Sequence, residues 1–597
     1  MSAQTAGEPA ALHGLTPAQR DAAQATGPAL VVAGPGSGKT RTLVARLAYL
    51  LEAGRATPAE LCAITFTRKA ATELRERLQR TLGDASRQIF VGTFHQLALR
   101  LRPQPPAVRL ISEADRQDLL LHVLRVQREP GRALGEVTLR RRTRRAAEAL
   151  SLIKGRSSDA PTTLSQVAAD PSQPDPADPT WLRPALRDYQ AWLHALDLED
   201  LDDLLLAATQ ACRAGQVATP ARFVHVDEYQ DTNGVQRELL LALAQAGAQI
   251  FAIGDPDQSI YAFRGANLDN FFAFPSDFAG ARVYFLGDNF RATATLVSAA
   301  TALIAPTRER AEFFDGPAAQ AQRAGGERIQ LRPATSARSE AIAIAREIER
   351  LVGGTSLTSH DQGRATAWAS GRYGFSDIAV LTRTAARADE VAAALHHEGI
   401  PTLRPRKAQP PDRAGGSRED RAATDSTQPT SDAATPRSTF TAALACHPQP
   451  PRHRPADAPA LIEQAAAAED QASYAALRQA LTSDADGEIG FAHESDEWDA
   501  RFERVAVLTL HGSKGLEFPV VFLCGCEAEL LPGRASQAEE VAEERRLFYV
   551  GMTRAKDLLW ISHVGSRSPF VDALPAAYVS TVMPPPRREK PPQLKLF

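Results

Sequence analysis

The stretch Leu30 to Thr40, LVVAGPGSGKT, restricts the fold of this chain more than any other. Leu30, Val31 and Val32 form an apolar run. It enters a turn holding Gly34, Pro35, Gly36, Ser37 and Gly38, and a helical pattern starts at Lys39. A strand, a glycine-rich turn and a helix in that order make a phosphate-binding loop. The glycines let backbone amides converge where a Cβ would intrude, and the helix start adds the positive end of its dipole. In such a loop Lys39 reaches the β- and γ-phosphates and Thr40 offers its hydroxyl to Mg²⁺. Ala33 stands where the first glycine of such a loop usually falls.

Strand-then-helix patterns recur downstream. Apolar runs at 61–66, 89–94, 223–226 and 250–253 are each followed by polar or helical residues. This predicts α/β architecture, an open parallel sheet with helices on both faces and functional residues at the carboxyl ends of the strands. Asp227 and Glu228 follow the run FVHV. An Asp there is placed to hold Mg²⁺, and the next Glu to orient or deprotonate an attacking water. The segment after 250–253 holds Gln258, suited to sensing a γ-phosphate, then Tyr261, Phe263 and Arg264. Two readings stay open for the aromatic pair: core packing, or stacking on unpaired bases. Arg291 and Arg554 lie outside the first nucleotide-binding region. Two arginines over a γ-phosphate would stabilise developing charge, with Lys514 and Glu517 between them in sequence.

Net charge is -3 over 597 residues, so any nucleic acid must be held by local grooves rather than by a basic surface. The arginine-rich stretch 139–156 is read as a solvated helix face or as a nucleic-acid contact. The five cysteines form no disulfide scaffold or metal pattern. Neither a signal peptide nor an 18-residue apolar run is evident, which leads to the expectation of a soluble cytoplasmic protein.

The motifs in order resemble superfamily 1 helicases of the UvrD/Rep/PcrA type. The matching segments are LTPAQRDAA, AGPGSGKTRTL, TFTRKAATELRERL, VGTFHQLA, VDEYQDTN, GDPDQSIYAFRGA, Asp288-Asn289-Phe290-Arg291, VLTLHGSKGLEFPVVFL and EERRLFYVGMTRAK. The resemblance implies an ATP- and Mg²⁺-using 3'–5' helicase that translocates on single-stranded DNA in repair or replication restart. It implies adenine contacts at Gln19, Arg41 and Phe290, a ribose contact at Glu517, and arginine fingers at Arg291 and Arg554. Strand contacts fall at Phe66, Thr93, His95, Tyr261, Phe263, Arg264 and His511. Partners would be single-stranded DNA, single-strand/duplex junctions and repair or replication proteins. Three alternatives remain: a translocase that displaces proteins with little unwinding, a nucleotide-gated scaffold, and an RNA substrate.

The expected domains are two RecA-like lobes, 14–109 with 212–287 and 288–403 with 501–583. A helical insertion covers 110–211, with helix resuming from Leu186 to Ala211 and acidic turns around Leu198 to Asp203. Disordered tails are expected at 1–13 and 584–597, and a loop at 157–180. Residues 404–500 read as a low-complexity linker in place of a full accessory domain, with a composition that permits two short helices over 456–483.

Overall fold

The computed structural model describes residues 9–101, 109–126, 135–156, 181–195, 198–217, 221–308, 313, 316, 319–353, 372–404 and 503–582. The loop expected at 157–180, the linker and short helices within 405–500, the tail 584–597 and the first eight residues lie outside this set.

The strands in chain order are β1 (Ala29–Ala33), β2 (Leu61–Thr65), β3 (Phe90–Thr93), β4 (Arg109–Leu110), β5 (Leu198–Glu199), β6 (Phe223–Val226), β7 (Gln249–Gly254), β8 (Arg282–Leu286) and β9 (Asp288–Thr293). Then come β10 (Gln320–Arg323), β11 (Ile329–Ala334), β12 (Ile378–Thr382), β13 (Thr402–Leu403), β14 (Val505–Thr509), β15 (Phe518–Cys524), β16 (Ala555–Val564) and β17 (Val579–Thr581). Six form one sheet in the order β3-β2-β6-β7-β1-β8, and seven form another in the order β13-β14-β12-β15-β16-β11-β17. Every pairing in both is parallel. Strands such as LCAIT and IAVLT are buried at every residue, because helices cover both faces of a parallel sheet. The first sheet separates two apolar clusters, one around Val31, Leu43 and Leu74, the other around Leu97, Leu204 and Leu239.

Parallel pairing brings the carboxyl ends of β1, β2, β6 and β7 to one edge. The phosphate loop, Phe66, Asp227 and Asp255 all emerge there. Between β3 and β6 the chain builds a helical body around Leu119, Leu150, Tyr189 and Trp192. The helical reading of 186 to 211, with its acidic turns around Leu198 to Asp203, corresponds to two helices, Leu182–Ala195 and Leu201–Arg213. The break has a local cause: Asp200 and Asp203 form a capping box that starts the second helix.

The expected tail 1–13 is also corrected at its end. Ala10–Leu12 forms a 3₁₀ turn, and Leu12 is buried against Leu15, Ala23 and Tyr49. One leucine with a notch to fill orders a stretch whose composition is otherwise loop-like. Among the described residues, no helix is long and apolar enough to cross a membrane.

The core of the second sheet reaches across the seam. Its main cluster contains Ile260 and Tyr261 from the segment after β7, with Phe66 packed beside them.

Candidate functional site

The phosphate loop is tied down on two sides. Thr16 caps the helix Pro17–Ala23, which holds Gln19. The Gln19 side chain accepts from the Thr16 amide at 3.1 Å and donates to the Ser37 carbonyl at 2.8 Å. On the other side β9 is stitched to the loop. Asn289 donates to the Pro35 carbonyl at 2.8 Å, and the Phe290 amide donates to Gly36 at 2.9 Å. Gly36 has φ of 73°, and a Cβ there would stand 2.7 Å from the Arg291 Cβ, so the close approach requires glycine. Ser37 donates to Gly34 at 2.7 Å and closes the turn. Lys39 and Thr40 open the helix Lys39–Glu52. Lys39 Nζ donates to Ala33 at 3.3 Å and lies 4.0 Å from Glu228. Arg41 donates to the Gly14 carbonyl at 2.8 Å.

Asp227 and Glu228 follow β6. Glu228 has φ of 53°, the one non-glycine residue with positive φ among those described. Such strain is held at sites where the surroundings impose it. The Glu228 amide donates to Asp227 at 3.0 Å. Burial, then the Glu228 charge, pushes the Asp227 carboxyl up to about 7. Burial alone would raise Glu228 too, but Lys39 and Lys514 outweigh it and bring that carboxyl down to about 2. Asp255, after β7, is also raised by burial. It accepts from Gln258 at 2.6 Å.

From the far side of the seam, Arg554 donates to Gln258 Oε1 at 3.1 Å, to the Val550 and Leu516 carbonyls and to the Thr553 hydroxyl. These four acceptors are all neutral. Burial, then the charge of Arg291, lowers the Arg554 guanidinium to about 9. Arg291 bonds the Thr553 carbonyl at 3.4 Å and pairs with Glu517 at 2.5 Å; Glu517 also pairs with Lys556 at 2.8 Å. Phe290 is exposed beside them.

A second group forms around Tyr261. Phe66 stacks on it with centroids 5.2 Å apart, and His511 meets Phe263 edge-on at 5.3 Å. Arg264 lies over both aromatic rings. Tyr261 is 3% exposed and Phe263 49%. Of the two readings, core packing therefore holds for Tyr261, which serves as the floor under Phe263. Burial, then Arg383, Arg264 and Lys514, pushes His511 down to about 3, so it stays neutral at physiological pH. Thr93 and His95 stand one strand farther out, at the end of β3. Thr93 begins the turn into the helix Phe94–Leu101, its amide donating to Gln96 at 2.8 Å. Burial lowers His95, with Asp202 and Arg68 close by.

Lys514 joins the two groups. Its Nζ bonds both Asp231 oxygens at 2.6 and 2.8 Å and the Gln258 carbonyl at 2.8 Å, and lies over Tyr261. Neither this pairing nor the bonds of Asn289 are assigned from the sequence. Their signal was present only as polar residues inside otherwise recognised motifs.

Two parallel-sheet lobes meeting at a phosphate loop, with arginines supplied from the far lobe and an aromatic track beside it, define a two-lobed nucleoside-triphosphate-binding class. The UvrD/REP helicase N-terminal domain is matched over residues 15–279 and the UvrD-like helicase C-terminal domain over 284–406 and 462–566. The chain belongs to the UvrD/REP helicase family. It is 28% identical over 641 residues to the ATP-dependent DNA helicase PcrA of Bacillus subtilis, covering 94% of this chain and 84% of that one. It is 29% identical over 687 residues to the ATP-dependent DNA helicase UvrD1 of Mycobacterium leprae, covering 93% and 83%. The UvrD1 of Mycobacterium tuberculosis is 34% identical over 413 residues, covering 65% of this chain and 49% of that one.

Proposed function

We propose that this chain is an ATP-driven DNA helicase that moves 3' to 5' on a single strand. One observation supports the chemistry above all. Around one phosphate loop stand carboxyls short of positive charge, Asp227 and Asp255, and an arginine short of negative charge, Arg554. A magnesium-bound triphosphate supplies both.

The donor set fits magnesium. Thr40 and Asp227 offer hard oxygens, and such a site uses few protein ligands plus substrate phosphates. When bound, the ion supplies positive charge against the phosphate oxygens. Lys39 and the loop amides bind the β- and γ-phosphates. Glu228 holds and orients the water that attacks the γ-phosphorus; as the bridging oxygen leaves with ADP, the proton of that water passes to the released phosphate. Gln258 senses the γ-phosphate, and Arg291 and Arg554 stabilise the charge that develops. Arg291 must first leave Glu517, which is then free for the ribose. Gln19, Arg41 and Phe290 line the adenine end.

Phe263 is the exposed stacking surface, with Phe66, Tyr261, Arg264 and His511 behind it and Thr93 and His95 extending the track. Polarity, and a place in repair or replication restart, rest on the family likeness. The test pairs ATPase measurements with and without single-stranded DNA with strand displacement on 3' and 5' overhangs. Stimulated turnover and displacement from the 3' overhang only are expected. DNA-stimulated turnover without displacement would favour a protein-clearing translocase, and no stimulation would favour a scaffold. Glu228→Gln should cut turnover at least about a hundredfold while nucleotide binding persists.

A further inference from the structure

Gln230 is fully buried, two residues past Glu228, and both ends of its side chain are used. Its Nε2 donates to Glu228 Oε2 at 2.6 Å, and its Oε1 accepts from the Asp255 amide at 2.9 Å. Its own carbonyl accepts from the Ser259 hydroxyl at 3.3 Å. Room for it is made at the end of β7, where a Cβ on Gly254 would stand 2.4 Å from Gln230 Oε1. The Asp255 that it anchors accepts from Gln258, and Gln258 in turn accepts from Arg554 across the seam.

An unbroken hydrogen-bonded path thus runs from the Glu228 carboxylate through Gln230, Asp255 and Gln258 to Arg554. A primary amide suits the second place on this path. It donates to a carboxylate at one end and accepts from a backbone N–H at the other, which no carboxylate, hydroxyl or ammonium of that length does. Glu228 needs such a partner. Its backbone is strained, and its side chain has to be fixed for the water it orients.

We infer that Gln230 is a positioning residue for hydrolysis: it fixes the Glu228 carboxylate and registers it against the Asp255–Gln258 turn, so that the far-lobe arginine and the water-orienting group move as one unit. This rests on the role proposed for Glu228. It adds that the γ-phosphate sensor and the water-orienting carboxylate are mechanically joined inside the first lobe. When Arg554 shifts, the displacement reaches Glu228 through three side chains, those of Gln258, Asp255 and Gln230, and the Asp255 backbone amide.

The test is a double-mutant cycle in the full chain with DNA present. Gln230→Met keeps the length and removes both bonds. Gln230→Glu keeps an acceptor for the Asp255 amide and sets a carboxylate against Glu228. Each should lower kcat about tenfold or more, the scale of one lost hydrogen bond to a charged group, with KM for ATP and binding of a non-hydrolysable ATP analogue within about twofold. In the Glu228→Gln background, single-turnover hydrolysis should show Gln230→Met costing little further, because the group it positions has gone. Should Gln230→Met fail to fold, Gln230→Glu is carried through the same cycle. Wild-type kcat in the variants would overturn the inference, as would an equal fold-loss in both backgrounds, or losses of kcat and nucleotide binding in proportion. Wild-type turnover in Glu228→Gln alone would instead overturn the role of Glu228 itself.

Discussion

Phe263 and Tyr261 lie two residues apart and have opposite duties. Tyr261 is enclosed by Phe66, Lys514 and the second lobe's core, while Phe263 leaves half its surface to solvent over His511 and Arg264. Phe263→Ala should therefore weaken single-strand binding about tenfold, the scale of one lost base stack. ATPase measured without DNA should hold at the wild-type rate, and an equal loss with and without DNA would show Phe263 to be packing. Contiguous motifs made Lys39, Thr40, Asp227 and Glu228 readable, because the backbone itself carries them to the strand ends. Gln230, Asn289 and Lys514 were not readable as connectors. Their partners lie 25, 254 and 283 residues away along the chain, so only the folded arrangement pairs them.

Single elements carry two buried polar devices that periodicity does not reveal. In the helical insertion, Asp200 caps Leu201–Arg213 and accepts from Lys154 at 2.8 Å and Tyr189 at 3.1 Å. Asp200→Ala leaves Lys154 buried with Asp203 as its remaining acid. The insertion should lose about 3 kcal/mol, the low end for breaking a buried pair. Denaturation followed by fluorescence of Trp181 and Trp192, with Trp368, Trp498 and Trp560 replaced by Phe, reports on this body. In β6, His225 donates to the Cys62 carbonyl of β2 at 3.1 Å, and burial pushes its imidazole down to about 3. The unfolded chain binds this proton near the ordinary 6.5, the folded chain only near 3. The neutral ring thus supports the fold fully above pH 6.5, and that support is lost as pH falls from 6.5 towards 3. Relative to His225→Gln, the wild type should lose up to about 1.4 kcal/mol per pH unit in this window. The comparison cancels the raised carboxyls, whose pull has the opposite sign. Parallel slopes for the two proteins would show that His225 titrates normally. The alternation that foretold the strands said nothing of these groups, since a polar residue inside an apolar run has no period.

At the scale of the whole molecule, the lobes are joined by buried charge as well as apolar contact. Lys514 reaches from the second lobe to Asp231 and the Gln258 carbonyl, and Arg546 bonds the Ser259 carbonyl at 3.0 Å. Lys514→Met leaves Asp231 without that cation, an acid that burial already pushes up to about 6. Small-angle scattering of the nucleotide-free variant should give a larger radius of gyration, and DNA should stimulate its ATPase less than in the wild type. An unchanged radius together with full stimulation would mean that the pair is incidental. Two α/β lobes were legible from the strand-and-helix alternation, because inner parallel strands such as ALVVA, LCAIT, IAVLT and FPVVFLC are nearly continuous apolar runs. The closeness of their join was not, because the seam is built from short polar segments on different strand ends.

The bonds from Asn289 and Phe290 to the loop carbonyls of Pro35 and Gly36 carry one more consequence. The cradle for the fuel and the first strand of the opposite half share a single set of rivets. If the cradle widens to admit a triphosphate, the strand is pulled at its root, and the far half is levered without waiting for its arginines to arrive. Arrival of fuel and its burning would then be two separate strokes of one engine, the first delivered through backbone and the second through side chains.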